Sequence, residues 1–565
     1  MESPTRARIV EALEATQHRG GGYLTQAALR ALAAELGVPV YHLYGVATFF
    51  PHFRLEPPPA LDVRVCTDMS CRLRGGDALL REVQAASEAR PAGTMTVRPV
   101  SCLGRCDGAP ALTVNDEPYW GLANGRRDAV LASLQLGTPL PPPPAPVAAS
   151  VLRADPYGPG EPRYAALRKL VESGDVAGAL ATLKAAQLRG MGGAGFPAAV
   201  KWEAVRNATG DEKYVVCNAD ESEPGTIKDR GILTSVPHLL VEGMALAGVI
   251  AGARRGIIYI RHEYGPEARI LGDAIAAAHA GGVLGAQVLG SSHAFDLEIF
   301  TSPGGYICGE ESALLEVLEG RRAQPRLKPP FPVTHGLFGK PTVINNVETL
   351  AHVPVILLKG ADWYVAQGAS GAPGFKFVGV GGHVQRPGIY EIPFGTSLRA
   401  VINEHAGGVL DGRALKAVAP SGASSGFLPA AMADTPIEWG ALQRAGSMVG
   451  SSAVVAIADG TCMVDLALNV ARFFARESCG KCWPCRVGSE KIVQMLEAAS
   501  EGRAAEDSLA VLDDLAPTLL LTSICGLGQV VPSPIMSLLR HFPDEVHAHL
   551  KERRCPAGTC RMRPA

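Results

Sequence analysis

The chain has 565 residues, of which 47% are hydrophobic, and a formal net charge of −2 at pH 7. This length predicts three or four domains rather than one core, because a domain typically holds about 150 residues. The near-neutral charge argues against a nucleic-acid binder and a polybasic membrane patch. The N-terminus lacks the apolar stretch of a signal peptide, and no run approaches the roughly 18 apolar residues of a spanning helix. We therefore expect a cytoplasmic protein.

The first part of the chain predicts two small units. Residues 1 to about 55 show helical periodicity, as in "LTQAALRALAAELGVP". From Leu61 onward "ALDVRVC", "TMTVRPVSC" and "PALTVND" resemble strands, and "GGDALLREVQAASEA" resembles an amphipathic helix. These pieces predict a compact α/β unit with parallel character, ended by a stiff proline-rich linker at 137–146.

The rest of the chain changes its pattern twice. Residues 165 to 350 alternate apolar strand-like runs such as "KYVVCNAD", "GIIYIRHEY" and "FDLEIFT" with alanine-rich helices, which predicts an α/β domain. Residues 370 to 455 are rich in glycine and short strands around one helix, "SLRAVINEHAG", as in a small α+β module. From Met463 the pattern is helical and predicts a bundle. The predicted fold class is multidomain α/β.

Three cysteines, Cys479, Cys482 and Cys485, lie within "ESCGKCWPCRVG" at C-x2-C-x2-C spacing. Clustered thiols in a cytosolic chain usually bind metal or carry out redox chemistry. Tandem x2 spacing is typical of 4Fe-4S sites, which need a fourth thiolate, and Cys525 in "LTSICGLGQ" is the candidate. Zinc is the alternative, although zinc modules usually present two separated C-x2-C pairs.

A second set comprises two pairs, Cys66 with Cys71 and Cys102 with Cys106. Each pair follows a predicted strand, so two loops at a sheet edge would hold one 2Fe-2S cluster, with zinc again as the alternative. A further pair in "RRCPAGTC", Cys555 and Cys560, has no visible partners, and we expect a surface tail there, with a role in redox or metal binding as the alternative.

The stretch "LRGMGGAGFP" satisfies G-x-G-x-x-G with Gly190, Gly192 and Gly195. The segment before it is helical rather than a strand, so an ordinary Rossmann unit is disfavoured. A loop of glycines still lets backbone N–H groups approach a phosphate or a planar ring. The alternative is a tight turn between helices.

Three further segments carry acidic and amide side chains: "CNADESEPGTIKDR", "GGYICGEESALLEVLEG" and "INNVETL". Taken singly, each acidic residue has the simpler interpretation of helix capping or an exposed surface. Together they offer acceptors for ribose hydroxyls and an adenine amine, and amides for a ribityl chain or phosphate.

In order along the chain, "RGMGGAGFP", "CNADESEPGT", "YICGEESAL", "RLKPPFPV", "KPTVINNVETL" and "ESCGKCWPCR" resemble the NADH-oxidising flavoprotein subunit of respiratory NADH dehydrogenase. Residues 1 to 135 resemble that enzyme's small 2Fe-2S subunit. The same fusion is typical of diaphorase subunits of NAD-dependent formate dehydrogenases and NAD-reducing hydrogenases. "FFPHFRLEPP" and "VCTDMSC" favour a molybdenum formate dehydrogenase, whose iron–sulfur-rich alpha subunit is then the expected partner.

The resemblance implies five regions: a helical and thioredoxin-like 2Fe-2S domain (1–136), a linker (137–160), an FMN- and NADH-binding domain (161–365), a ubiquitin-like β-grasp domain (366–458) and a helical 4Fe-4S domain with tail (459–565). It implies FMN contacts from Gly190, Gly192, Gly193, Lys201, Asn218, Asp220, Asn345, Asn346 and Thr349. It implies an NAD(H) site lined by Phe196, Lys201, Glu221, Glu223, Tyr306, Gly309, Glu310, Glu311 and Phe331.

Two positions depart from the family pattern. Met191 replaces an arginine in the glycine loop, which removes a positive charge near the flavin, and Ala204 replaces an aromatic residue that would stack on adenine. Hydride transfer needs no acid or base, so the catalytic candidates, Lys201 and Glu223, are expected to position charge. For Lys201 the alternatives are a phosphate contact or a solvated side chain.

The expected function is that of a diaphorase subunit, which moves hydride between NAD(H) and FMN and single electrons between FMN and the clusters. Two other classes stay open from the residues alone. A zinc-stabilised interaction scaffold would be colourless and free of flavin. A dinucleotide-binding regulator would bind nucleotide without reducing an acceptor.

Overall fold

The structure is a computed structural model that describes residues 9–122, 125–158 and 162–562. Strands β1 to β13 cover, in order, Leu61–Cys66, Met95–Val100, Leu112–Val114, Glu117–Tyr119, Tyr214–Ala219, Arg255–Arg261, Asp296–Ser302, Thr342–Asn346, Phe375–Gly382, Gly388–Pro393, Leu415–Ala419, Leu428–Pro429 and Ala453–Ala458. Helices α1 to α24 cover Ile9–Arg19, Gln26–Leu36, Val40–Ala47, Met69–Leu73, Gly76–Glu88, Arg126–Leu136, Ala165–Ser173, Val176–Ala185, Ala198–Asn207, Lys228–Ser235, Pro237–Ala251, Gly265–Ala280, Glu311–Leu318, Pro332–His335, Val347–Lys359, Ala361–Val365, Leu398–Ala400, Trp439–Arg444, Met463–Glu477, Trp483–Ser500, Leu512–Thr522, Gly526–Val530, Ser533–His541 and Pro543–Leu550.

The first three helices form the predicted helical segment. Helix α2 begins where the Thr25 hydroxyl accepts a hydrogen bond from the Ala28 N–H, and it ends at Gly37, whose φ of +65° suits glycine. Helix α1 buries Ile9, Val10 and Leu13. These helices share a core with the α/β domain that contains β5 to β8 and with the C-terminal helices, so they are not a free-standing bundle.

The first sheet has the strand order β2-β1-β3-β4. Strands β1 and β2 are parallel, whereas β3 pairs antiparallel with both β1 and β4. The expected parallel character therefore holds for one strand pair only. The two-residue turn at Asn115 and Asp116, whose φ values of 50° and 68° are typical of a tight hairpin, accounts for the antiparallel pairing of β3 with β4.

The second sheet is fully parallel, with the order β7-β6-β5-β8. The chain proceeds outward from β5 to β7 and then returns to place β8 on the other side of β5. The switch point of the sheet therefore lies between β5 and β8, where ligands of open α/β sheets bind at the carboxyl ends of the strands. Asn218 and Asn346 occupy those two ends.

The third sheet has the order β10-β9-β13-β11-β12 and mixes parallel and antiparallel pairs. The single predicted helix, "SLRAVINEHAG", is broken: α17 is one short turn that continues as a wide π-type turn over Val401–His405. A second short helix, α18, follows later in the module, so the expectation of one helix was wrong.

The C-terminal region is helical, as predicted. Helices α19 and α20 pack against each other, and α19 buries most of its length. Among the described residues, no single helix has the length and apolar character needed to cross a membrane; α10 and α11 meet that test only as a pair, and they are bent by 97°.

Candidate active site and cluster-binding loops

The glycine loop follows α8 and precedes α9, so it comes after a helix, as the sequence indicates. A side chain at Gly192 would meet the Asn346 side chain at 3.0 Å, whereas the space beside Gly193, at φ +132°, is open. The Met191 N–H donates to the Thr349 hydroxyl at 2.8 Å. The loop is thus held against the end of β8 with bare backbone facing open space.

Amide side chains lie at the carboxyl ends of β5 and β8. The Asn218 amide donates to the Gly309 carbonyl at 2.7 Å, and the Asn345 oxygen accepts from the Trp202 indole at 2.7 Å. The Asn346 oxygen accepts from the Glu348 N–H at 3.0 Å and so caps α15. These hydrogen bonds fix the orientation of the three amide side chains, whose polar atoms lie at the switch point.

Asp220 carries the clearest sign of a ligand-binding position. One carboxylate oxygen accepts from the Ser222 hydroxyl at 3.2 Å, and the other is buried without a partner. Burial raises the pKa of Asp220 to about 8. An unpartnered buried oxygen is costly, so a hydroxyl-rich ligand such as a ribityl chain fits this position. The residues present fit FMN.

A lysine from another part of the chain lies beside Met191, the position that departs from the family pattern. The Met191 sulfur lies 3.7 Å from the Lys376 ammonium, which donates to Glu348 at 3.0 Å. Lys376 lies on β9 of the third sheet, so no pattern within the glycine loop could have predicted that it contacts Met191. Met191 therefore has a lysine beside it that belongs to another module.

Glu221 and Glu223 differ in their surroundings. Both Glu221 oxygens accept from protein groups: the backbone N–H groups of Asp229 and Arg230, and the Tyr264 hydroxyl at 2.9 Å. Glu221 therefore anchors the start of α10. Glu223 accepts from the Ser424 N–H at 2.8 Å, and burial raises its pKa to about 7.

The second acidic pair forms an ion network that the sequence did not predict in full. The Lys328 ammonium lies 3.0 Å from Glu310 and 2.8 Å from Glu311, and Lys201 lies 3.6 Å from Glu311. Burial alone would raise the pKa of Glu311, but the two lysines outweigh it and lower the pKa. Lys201 also donates to the Ile344 carbonyl at 2.9 Å. Lys328, inside the quoted "RLKPPFPV", is the functional candidate that sequence reasoning passed over.

The three aromatic residues expected at the dinucleotide site differ in their surroundings. Phe196 and Phe331 are 51% and 53% exposed, which is unusual for phenylalanine and leaves both rings free to contact a planar ligand. Tyr306 instead packs against Phe473 and Phe474 of α19. The Tyr306 loop is therefore in contact with the C-terminal helices.

The first set of thiols converges as predicted. The sulfurs of Cys102 and Cys106 lie 3.4 Å apart, and the Cys66 thiol lies beside those of Cys102 and Cys71. The Gly104 N–H donates to the Cys102 sulfur at 3.4 Å. Backbone donors and four converging buried sulfurs suit a 2Fe-2S cluster.

The second set of thiols lies at three helix ends, and Cys479 is the second residue after the end of α19. Cys482 is the residue before α20, Cys485 lies in its first turn, and Cys525 immediately precedes α22. Burial raises the pKa of Cys485 to about 12 and that of Cys525 to about 11, and neighbouring thiols add to both shifts. Such thiols ionise only when a cation compensates their charge, as iron does in a cluster.

Glu477 connects the three regions. One of its oxygens accepts from the Ser101 hydroxyl at 2.7 Å, and the other accepts from the Tyr306 N–H at 2.7 Å. Ser101 precedes Cys102, and Glu477 itself stands two residues before Cys479. A cavity of about 520 Å³ at this junction is lined by Cys102, Tyr306 and Cys479 among others. The Glu477 carboxylate thus connects both cysteine-bearing loops to the loop that carries Tyr306.

Four family models match the chain. They are a thioredoxin-like [2Fe-2S] ferredoxin over 2–135, the Nuo51 FMN-binding domain over 183–355, an SLBB domain over 377–427 and the NADH-ubiquinone oxidoreductase-F iron-sulfur binding region over 465–549. With the site geometry, they define an iron–sulfur flavoprotein that is an NAD-dependent oxidoreductase.

Relatives narrow the class. The chain is 47% identical to the F 2 subunit of NADH-quinone oxidoreductase from Rhizobium meliloti (strain 1021) over 70% of this chain and 93% of the relative. It is 41% identical to the NADP-reducing hydrogenase subunit HndC of Solidesulfovibrio fructosivorans over 67% of this chain and 77% of the relative. The chain belongs to the family of NADH-quinone oxidoreductase F subunits, the NADH-oxidising flavoproteins, with a 2Fe-2S module fused in front.

A solved structure matches almost the full length. The NAD+-reducing [NiFe]-hydrogenase in the H2-reduced state contains a chain that is 34% identical, with a TM-score of 0.86, covering 98% of this chain and 95% of that chain. The expected cofactors, FMN, NAD(H), one 2Fe-2S and one 4Fe-4S cluster, are thereby confirmed. A zinc scaffold and a non-redox regulator are both set aside by the family.

Proposed function

We propose that the chain is the diaphorase module of an NAD-linked redox complex. When bound, FMN supplies two-electron exchange with NAD(H) and one-electron exchange with iron–sulfur clusters. The observation that carries the proposal is the unpartnered Asp220 oxygen, which lies just after β5 at the carboxyl end of the parallel sheet. The chain itself would hold the flavin ring and exclude water from it. Glu477 would keep both cluster loops against the loop that carries Tyr306.

The proposed FMN contacts are those predicted from the motifs, namely Gly190, Gly192, Gly193, Lys201, Asn218, Asp220, Asn345, Asn346 and Thr349. For the dinucleotide we propose the ring pair Phe196 and Phe331 with the network of Glu310, Glu311 and Lys328. Acidic groups at this position would repel a 2′-phosphate, which favours NAD over NADP. Lys201 and Glu223 are proposed to position charge, because hydride transfer needs no proton donor.

The domain limits predicted above stay a proposal, and so does the β-grasp assignment of residues 366–458. The mixed five-stranded sheet crossed by short helices, together with the SLBB match over 377–427, supports that assignment. A cytoplasmic location is proposed as well, since cysteine-borne clusters and a pyridine nucleotide substrate suit a reducing compartment.

For the terminal substrate we propose formate, oxidised by an iron–sulfur-rich molybdenum subunit. The support is the resemblance of "FFPHFRLEPP" and "VCTDMSC". Hydrogen is the second candidate, and the full-length likeness to a chain of an NAD+-reducing [NiFe]-hydrogenase favours it. Both candidates use the same diaphorase chemistry and differ only in the partner.

The experiment is purification of the native complex under anaerobic conditions, followed by identification of its subunits and assays with formate and with hydrogen. Formate-dependent reduction of NAD+ with a molybdopterin subunit supports the formate proposal. Hydrogen-dependent reduction with a nickel–iron subunit replaces it with the second candidate. NAD+ reduction from neither substrate contradicts both proposed substrates.

A further inference from the structure

A group of metal-ligating side chains lies outside the flavin and cluster sites. It consists of Cys462, His549, Cys555 and Cys560, whose ligand atoms all lie within 4.8 Å of one another. Cys462 immediately precedes α19, His549 lies in the last turn of α24, and the other two lie in the tail that follows. The tail that was expected to lack partners therefore has them, and Cys560 lies beside Cys462, which is 98 residues earlier in the chain.

The spacing of these atoms fits one tetrahedral ion. The Cys462 sulfur lies 3.6 Å from the Cys560 sulfur and 3.4 Å from the His549 Nε2 atom. In a tetrahedral zinc site, Zn–S bonds of about 2.3 Å place two sulfurs roughly 3.8 Å apart. A disulfide would require about 2.05 Å, so the sulfurs are spaced as ligands rather than as a bonded pair.

The surrounding groups orient the ligands. The His549 Nδ1 atom lies 2.7 Å from the Glu545 carbonyl, which fixes the tautomer that donates there and leaves the Nε2 lone pair facing Cys462. The Asp465 N–H donates to the Cys462 sulfur at 3.4 Å. Hydrogen bonds that orient the ligands in this way are typical of built metal sites. Cys462 and His549 are buried, and the two tail cysteines are half-buried.

We propose that Cys462, His549, Cys555 and Cys560 bind one structural Zn²⁺ ion in addition to the two iron–sulfur clusters. Three thiolates and one imidazole with four protein ligands form a closed site, which is typical of structural zinc and leaves no position for substrate. The four ligand atoms are spaced for a single metal ion. The set includes a histidine, whereas the sets proposed for the two clusters contain only cysteines.

The site would tie the C-terminal tail to the module that holds a cluster. Residues 551–562, all described, contain no helix or strand. The ion would hold them against the start of α19, where Asp465 forms a two-pronged ion pair with Arg72 at 2.7 and 2.9 Å. Arg72 follows the 2Fe-2S ligand Cys71. Zinc would thus stabilise the joint between the 2Fe-2S module and the helical domain.

The test is metal analysis of the full chain, purified without added metal, as the wild type and as the variants Cys555→Ser and Cys560→Ser. The matched control is Cys217→Ala, which removes a buried thiol from β5, away from every proposed metal. We expect one zinc per chain in the wild type and the control. Each variant should retain about tenfold less zinc after a chelator wash, with iron and flavin unchanged.

Two further measurements keep the proposal falsifiable if a variant folds poorly. X-ray absorption at the zinc edge of the wild type should show three sulfur ligands and one nitrogen ligand. Limited proteolysis should cleave the tail faster once the chelator has removed the ion. A wild type that holds iron but no zinc, zinc retention unchanged in both variants, or a Cys462–Cys560 disulfide found by mass spectrometry under anaerobic conditions would overturn the proposal.

Discussion

At the residue scale, Asp220 makes a prediction about pH. Its folded-state pKa, raised by burial to about 8 from 3.8, makes a contribution to stability that is present in acid and lost as pH rises toward 8. Between these two values, Asp220→Asn should gain on the wild type by about 1.4 kcal/mol per pH unit in the free energy of unfolding. Denaturant titrations of the flavin-free chain over this range measure the difference.

The control for that prediction is Ser173→Ala, because Ser173 is exposed at the end of α7 and carries no ionisable group. Its effect should be nearly independent of pH over the same range. A stability difference between Asp220→Asn and the wild type that stays flat across this interval would contradict the account of the unpartnered oxygen. Above pH 8, where Asp220 is ionised, the Asn variant should also bind FMN more weakly, because an amide is a poorer acceptor for a ribityl hydroxyl than a carboxylate.

Residue predictions from the sequence succeed where ligands are close in the chain and fail where they are not. The cysteine sets and the glycine loop are readable because their spacing is local. Lys376 reaches Met191, and Glu477 reaches Ser101 and Tyr306, only through tertiary packing. The partner of Cys560 is 98 residues away, so no local pattern indicated the proposed zinc site.

At the element scale, the ends of α20 and α21 present an apolar surface beside the second cluster loop. The Trp483 and Val487 side chains, one helical turn apart, are 71% and 49% exposed, and Leu520 and Leu521 are 56% and 78% exposed. A side chain at Gly488 would meet Leu519 at 3.0 Å, which shows how closely the two helices pack. We propose that the partner's iron–sulfur subunit docks here, next to Cys482 and Cys485.

Trp483→Ala should therefore weaken binding of that subunit by at least about tenfold, since buried tryptophans carry much of an interface's free energy. Leu136→Ala is the matched control, because Leu136 is 74% exposed on α6 of the 2Fe-2S module. Affinity measurements with the isolated partner subunit decide the matter. Equal affinities for Trp483→Ala and Leu136→Ala would show that the surface does not dock the partner.

Elements themselves were predictable where the hydrophobic period is clear. Strands β5 and β6 are near-continuous apolar runs and were expected as strands, as a buried parallel sheet requires. The break in the helix at 398–405 was not predicted, because its sequence has the same apolar spacing as a regular helix. The turn at Asn115 and Asp116 was missed as a hairpin signal, although Asn and Asp are typical of such turns.

At the scale of the whole molecule, the modules form one connected unit. The Asn469 side chain on α19 accepts from the Met69 N–H and donates to the Thr67 carbonyl, both at 2.8 Å. Thr67 and Met69 lie between Cys66 and Cys71, so the helical domain helps to shape the 2Fe-2S loop. The sequence predicted the modules in order but not these contacts, since no periodic pattern records which surfaces meet.

The most direct test is an anaerobic titration of the holoprotein with NADH. The wild type and the variant Cys482→Ser are compared, and the titration is monitored by visible absorption and electron paramagnetic resonance. The account predicts that NADH bleaches the flavin in both, that reduced-cluster signals appear in the wild type, and that Cys482→Ser fails to pass electrons to the partner subunit. Onward transfer from Cys482→Ser at the wild-type rate, or NADH-driven turnover by a preparation without iron or flavin, would contradict it.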